Sequence, residues 1–191
     1  MRLVVAPVLF LALLGCGGAS SSAPLGGRLL REGDAAPDFM ALDQHGDPRQ
    51  LHLIRRRRPM VLFFYPRDGT PGCTEEACAF RDAWARLEAA GAVVVGVSTD
   101  DVRAHARFAE EHELPFPLLS DPDGEALARY GVPDLMGMSA RVTFVIDGRG
   151  HVARVFPAVD PAVHVDEVLE ALAASSAPAQ EREGATPATS P

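Results

Sequence analysis

An uninterrupted apolar run, Met60 to Tyr65, leads into the turn Pro66-Arg67-Asp68-Gly69-Thr70-Pro71-Gly72, and Cys73 stands just behind it. A short apolar run closed by turn residues reads as a strand buried on both faces, which needs helices on either side of its sheet. The residues from Cys73 to Ala90 read as one helix ending at Gly91. Pro71 disfavours helix at Thr70, so Cys73 falls in or beside the first turn. Backbone N–H groups there lack intrahelical acceptors and favour an anion. A thiol attacks only as thiolate, a form favoured by helix N-termini and nearby Arg or Lys. Glu75 and Glu76 work against negative charge at that point, so some cation from elsewhere must offset them. The strand, turn and thiol together read as a thiol enzyme.

A second cysteine, Cys78, follows five residues later. Five residues of ideal helix rise about 7.5 Å and turn about 140°, which sets the two Cα atoms roughly 8 to 9 Å apart. A disulfide wants about 4.4 to 6.8 Å. The pair therefore bonds only if the first turns of the helix unwind. The alternative readings are a structural disulfide, which this geometry disfavours, and a pair of buried thiols, which the Pro/Gly turn disfavours.

The chain has 191 residues and a hydrophobic content of 47%, enough for one domain with tails. A net charge of −8 argues against nucleic acid as a partner. Three cysteines are too few for a disulfide scaffold. The third, Cys16, closes an apolar N-terminal segment of roughly a dozen residues, too short to span a bilayer. Leu13-Leu14-Gly15-Cys16 looks like a bacterial lipobox. That resemblance implies removal of a signal peptide, residues 1–15, and acylation of Cys16. The expectation is a membrane-anchored lipoprotein of the cell envelope facing the periplasm. Gly17 follows Cys16, where an aspartate often retains lipoproteins in the inner membrane, so outer-membrane sorting is compatible. A Gly/Ser tether over 16–27 leads to a folded domain over 28–174, and a Pro/Ala/Ser/Thr-rich tail over 175–191 reads as disordered.

Within the domain, Ala36 to Phe39 and Arg49 to Leu53 flank the turn Gln44-His45-Gly46-Asp47 and read as an N-terminal β-hairpin. Arg55 to Arg58 reads as a solvated loop edge, with anionic lipid as the other reading. Strands follow at Ala92–Ser98, Phe116–Leu119, Arg141–Ile146 and Val152–Phe156. Helices follow at Asp101–Glu113, Glu125–Tyr130 and Pro161–Ala174. This order predicts an α/β fold, a central mixed sheet flanked by helices. His52, His105, His112, His151 and His164 show no metal-ligand spacing and read as surface or core residues, and Trp84 reads as core on the thiol helix.

With these residues placed, Pro66-x-x-x-Thr70-x-x-Cys73 matches the active-site motif of the peroxiredoxins. The longer stretch Thr70-Pro71-Gly72-Cys73-Thr74-x-Glu76-Ala77-Cys78-x-Phe80-Arg81-Asp82 resembles the PrxQ, or bacterioferritin-comigratory-protein, subfamily. The likeness runs from about Leu30 to Leu172 and includes Arg141-x-Thr143-Phe144. It departs at Arg55 to Arg58, where the subfamily usually carries a Gly-Lys-like turn, and a lipoprotein signal is unusual for it. The resemblance implies a thioredoxin-like fold and reduction of hydrogen peroxide and organic hydroperoxides without metal, haem or flavin. It implies that Cys73 is the peroxidatic thiol and Cys78 the resolving thiol. It further implies that the Thr70 hydroxyl bonds thiolate and peroxide, that Arg141 supplies the cation, and that Pro66 shields the pocket. Glu76 matches without an assigned role. Thioredoxin or a similar dithiol protein would recycle the disulfide. A monomer is compatible, because the resolving thiol lies in the same chain.

Two rival functions remain at this point. A membrane-tethered thiol–disulfide oxidoreductase shares the fold, but that chemistry normally uses Cys-x-x-Cys, and here four residues intervene. A redox sensor or holdase would bind partners through the unwound helix.

Overall fold

The computed structural model describes residues 27–176. Cys16, the expected signal peptide and nearly all of the expected tether and tail lie outside the described residues.

The apolar run forms β3 (Met60–Phe64), buried at every position. Its alternation divides the core. Val61, Phe63 and Tyr65 face one hydrophobic cluster, and Met60, Leu62 and Phe64 face another. β3 pairs in parallel with β4 (Val93–Ser98), which pairs in parallel with β5 (Leu118–Ser120). On its other side β3 pairs antiparallel with β6 (Val142–Ile146), and β6 with β7 (Val152–Phe156). β1 (Met40–Asp43) and β2 (Pro48–Gln50) complete a seven-stranded sheet in the order β2-β1-β5-β4-β3-β6-β7. The mixed sheet flanked by helices is the thioredoxin-like arrangement expected.

One face carries α2 (Pro71–Asp82), α3 (Trp84–Ala89), α4 (Val102–Glu111) and α6 (Pro161–Ser176), through Ala77, Phe80, Leu87, Phe108, Val168 and Leu172. The other carries α1 (Leu51–Arg55) and α5 (Glu125–Tyr130), through Leu51, Leu127 and Tyr130. Gly96 lies where β4 passes Phe63 and Leu118. A Cβ there would stand 2.7 Å from the Phe63 ring and 2.8 Å from Leu118, so only glycine lets the strands pack at this point.

Three expectations are corrected. The hairpin forms around the expected turn, but its strands are Met40–Asp43 and Pro48–Gln50, and Leu51–Arg55 is a helix. Leu51 is buried and Ile54 packs on the same cluster, so helical i, i+3 spacing outweighs alternation here. The Asp38 carboxylate accepts the His52 amide at 2.9 Å and helps start that helix. Second, the thiol helix begins at Pro71, because proline's missing N–H costs nothing in a first turn. It stops at Asp82, and Ala83 (φ −89°, ψ 5°) separates it from α3, which carries half-buried Trp84. Third, Arg55 and Arg58 are not merely solvated. Arg55 donates to the carbonyls of Asp147 and Gly148, and Arg58 to those of Gly91 and Ala92.

Candidate active site

Thr70 is the N-cap of α2 in extended conformation, and its carbonyl accepts the first helical bond from Thr74 N at 2.9 Å. Cys73 is thus the third helical residue, ahead of that first bond, in the zone of positive helix potential. It is 2% exposed. The β3–β6 register pairs Phe64 with Val142, so one residue further Arg141 lies beside Tyr65, where the turn to Cys73 begins. Arg141 Nη2 donates to Cys73 Sγ at 3.2 Å, and Nη1 donates to Glu76 Oε2. This supplies the cation that the two glutamates demanded. Glu75 is exposed, whereas Glu76 is 1% exposed with Oε1 unpartnered.

Burial works against the Arg141 charge, but Glu76 and the Cys73 sulfur push its pKa up on balance, so the guanidinium stays charged. Space around it is tight. A Cβ on Gly72 would come within 3.3 Å of Nη2. Burial pushes the Glu76 carboxyl up to about 7, outweighing Arg141. The folded protein therefore holds a proton on Glu76 at a pH where the unfolded chain has lost it. Stability from this group is full below about 4.5 and is lost as pH rises through about 7. His164, pushed down to about 4 by burial and then by Arg141, has the opposite sign: its contribution is lost as pH falls from 6.5 through about 4. Melting curves of the reduced protein between pH 4.5 and 8 should therefore show a downward slope in wild type relative to Glu76→Gln. Parallel curves would mean that Glu76 does not titrate in this window.

Of the other expected residues, Pro66 is half-buried at the start of the turn. The Thr70 hydroxyl donates to the Arg67 carbonyl at 3.0 Å, so its proton is not directed at sulfur in this structure. Cys78 is half-buried, and both cysteines are free on an intact helix. No cluster of His, Cys, Asp and Glu fit for a metal occurs among the described residues.

Sequence reasoning left His105 and His164 as surface or core residues, and the structure buries both beside the site. His164 Nε2 lies 2.9 Å from Thr143 Oγ1, and its ring packs edge-on against Phe80 of α2. Thr143 is two residues from Arg141 on one strand face, a period-2 signal that could have placed it behind the thiol helix. His105 lies 2.8 Å from Asp68 in the turn itself.

A helix-terminal thiol paired with a half-buried, acid-anchored arginine on this sheet is the arrangement of a thiol-dependent peroxidase of thioredoxin-like architecture. A profile of the AhpC/TSA family matches residues 32–155. Chloroplastic peroxiredoxin Q of Arabidopsis thaliana is 43% identical over 149 residues, 76% of this chain and 68% of that protein. A putative peroxiredoxin bcp of Coxiella burnetii is 42% identical over 144 residues, 72% of this chain and 95% of that protein. The crystal structure of peroxidoxin BcpB from Mycobacterium tuberculosis superposes with a TM-score of 0.74 at 42% identity, covering 78% of this chain and 99% of that one. The chain belongs to the AhpC/TSA family, with the peroxiredoxin Q and bcp proteins as its relatives.

Proposed function

We propose that Cys73 reduces hydrogen peroxide and organic hydroperoxides, that Cys78 resolves the product, and that a thioredoxin-like dithiol protein regenerates both thiols. The observation that carries this is Arg141 Nη2 on the Cys73 sulfur at 3.2 Å, with Cys78 on the same helix. Cys73 thiolate attacks one peroxide oxygen, the O–O bond breaks, and the other oxygen leaves as water or alcohol after taking a proton. Sulfur is oxidised to sulfenic acid and the peroxide is reduced by two electrons. Arg141 and the first-turn amides stabilise the charge that develops as the bond breaks. Cys78 then displaces the sulfenic oxygen as water, forming the disulfide. The helical spacing requires α2 to open first. An external dithiol reduces the bond by exchange. The Thr70 hydroxyl joins the peroxide site only by exchanging its Arg67 contact.

Acylation at Cys16 would hold this domain on the envelope membrane, a reading supported by the Leu-Leu-Gly-Cys sequence and the Gly/Ser stretch after it. No helix among the described residues is long and apolar enough to cross a membrane. Peptide mapping after one equivalent of peroxide should give a Cys73–Cys78 disulfide. An acylated Cys16 at the N-terminus of cell-derived protein would support the anchor. Oxidised protein without that disulfide would overturn the role of Cys78, and an unmodified Cys16 would overturn the anchor.

A further inference from the structure

The turn that carries Cys73 is held by a buried polar cluster that the peroxide chemistry does not use. Tyr65, at the end of β3, donates its hydroxyl to Asp68 Oδ1 at 2.7 Å. Asp68 Oδ2 lies 2.8 Å from Nδ1 of His105, which is fully buried on α4. A carboxylate accepting at both oxygens leaves Nδ1 carrying the proton. The Tyr65 hydroxyl stays a donor, because burial and then Asp68 push its pKa up. A second fastening lies beside the first. Asp100 accepts the Asp68 amide at 2.7 Å and the Ser98 hydroxyl at 2.9 Å.

His105 Nε2 is buried without a hydrogen-bond partner. An unpaired buried nitrogen costs stability. An apolar side chain would fill the same space without that cost, so packing does not explain a histidine here. The contact of Nδ1 with Asp68 does.

We propose that Tyr65, Asp68 and His105 form a latch that holds the active-site turn on β3 and α4 throughout the cycle. It thereby favours the folded α2 and confines the unwinding to the segment after Cys73. The latch residues all precede Cys73 or lie outside α2. The far end of the helix has its own pin, for Phe80 is fully buried and Arg81 Nη1 donates to the His112 carbonyl at 2.8 Å. Between the two pins, Thr74 to Ala79 is the length that uncoils when Cys78 approaches Cys73, at the cost of the Glu76–Arg141 contact within it. These are positioning residues. They act through the placement of Cys73 and Thr70 and touch no reacting atom.

The inference rests on the Cys73–Cys78 cycle, and its test separates the two. Loosening the turn should misplace Cys73 for attack and also speed resolution. In the full chain, Tyr65→Phe and His105→Phe should slow oxidation of Cys73 by peroxide about tenfold. Both should also lower the fraction of Cys73 driven to sulfinic acid per turnover at high peroxide, since a second peroxide competes with Cys78 for the sulfenic acid. His105→Asn puts an amide N–H near the Nδ1 position and should restore both readouts toward wild type. The latch is overturned if Asn and Phe at 105 behave alike, or if the variants form as much sulfinic acid per turnover as wild type. Should His105→Phe fail to fold, Tyr65→Phe, which loses only a hydroxyl, decides by the same two readouts. Absence of turnover in wild type would instead sink the cycle itself.

Discussion

Cys73→Ser should abolish peroxide turnover, while Cys78→Ser should still consume about one peroxide per chain before stopping. The first substitution removes the nucleophile: a serine hydroxyl at this site forms no stable oxygenated state that a dithiol can reduce. The second leaves the Arg141–Cys73 contact intact, because Cys78 makes no contribution to it. At near-stoichiometric peroxide, oxidation therefore proceeds once and stalls at sulfenic acid; excess peroxide spends a second equivalent in carrying it to sulfinic acid. The measurement is peroxide consumed per chain with a dithiol reductant, read beside the intact mass. Full turnover in Cys73→Ser would place the chemistry elsewhere. Full turnover in Cys78→Ser would mean that the external dithiol reduces the sulfenic acid directly. Steady reduction of protein disulfides by wild type without peroxide loss would move the oxidoreductase reading ahead.

Arg141→Met should lower the rate constant for Cys73 oxidation by roughly 10² to 10³, the loss typical of removing one donor aimed at developing charge. It should also destabilise the fold at pH above about 7, where Glu76 is ionised, because it strands that carboxylate in the core without its ion partner. The double variant Arg141→Met/Glu76→Gln separates these effects. It should recover most of the stability, since the stranded carboxyl is gone, and none of the rate. Arg141→Lys keeps the charge but has one nitrogen where the guanidinium uses two, one on sulfur and one on Glu76. It should fall between wild type and Arg141→Met in rate. Recovery of rate in the double variant would show that Arg141 acts by holding Glu76, not by stabilising charge at sulfur.

Much of this site was legible in the chain because its signals are local. An apolar run, a Pro/Gly turn and a cysteine at a helix start are neighbours in sequence, and their physics needs no partner. The same holds for the helix Glu125–Tyr130, which ends at Gly131 in an αL conformation that suits glycine. Errors arose where long-range packing decided between local options. Leu51-His52-Leu53 can alternate as a strand or wind as a helix, and burial of Leu51 with Ile54 on the core chose the helix. The Thr70 hydroxyl, expected on the thiolate and peroxide, is given in this structure to the Arg67 carbonyl, a bond within the turn itself.

By itself the sequence determined the order of elements from β3 onward, with α2 and α3 read as one helix, the position of the thiol at a helix start, and the spacing that forces α2 to open before Cys73 and Cys78 can join. It even demanded a cation to offset Glu75 and Glu76. Only the tertiary structure decided which acid needed that cation, since Glu76 is buried on Arg141 while Glu75 stays in water. Only the structure brought His105 onto Asp68, 37 residues away. The physical reason is the same in both cases. Helix and turn formation depend on residues a few positions apart. The strength of a charge or a hydrogen bond depends on how much water is excluded around it, and that is settled when α2, α4 and β6 close over one another.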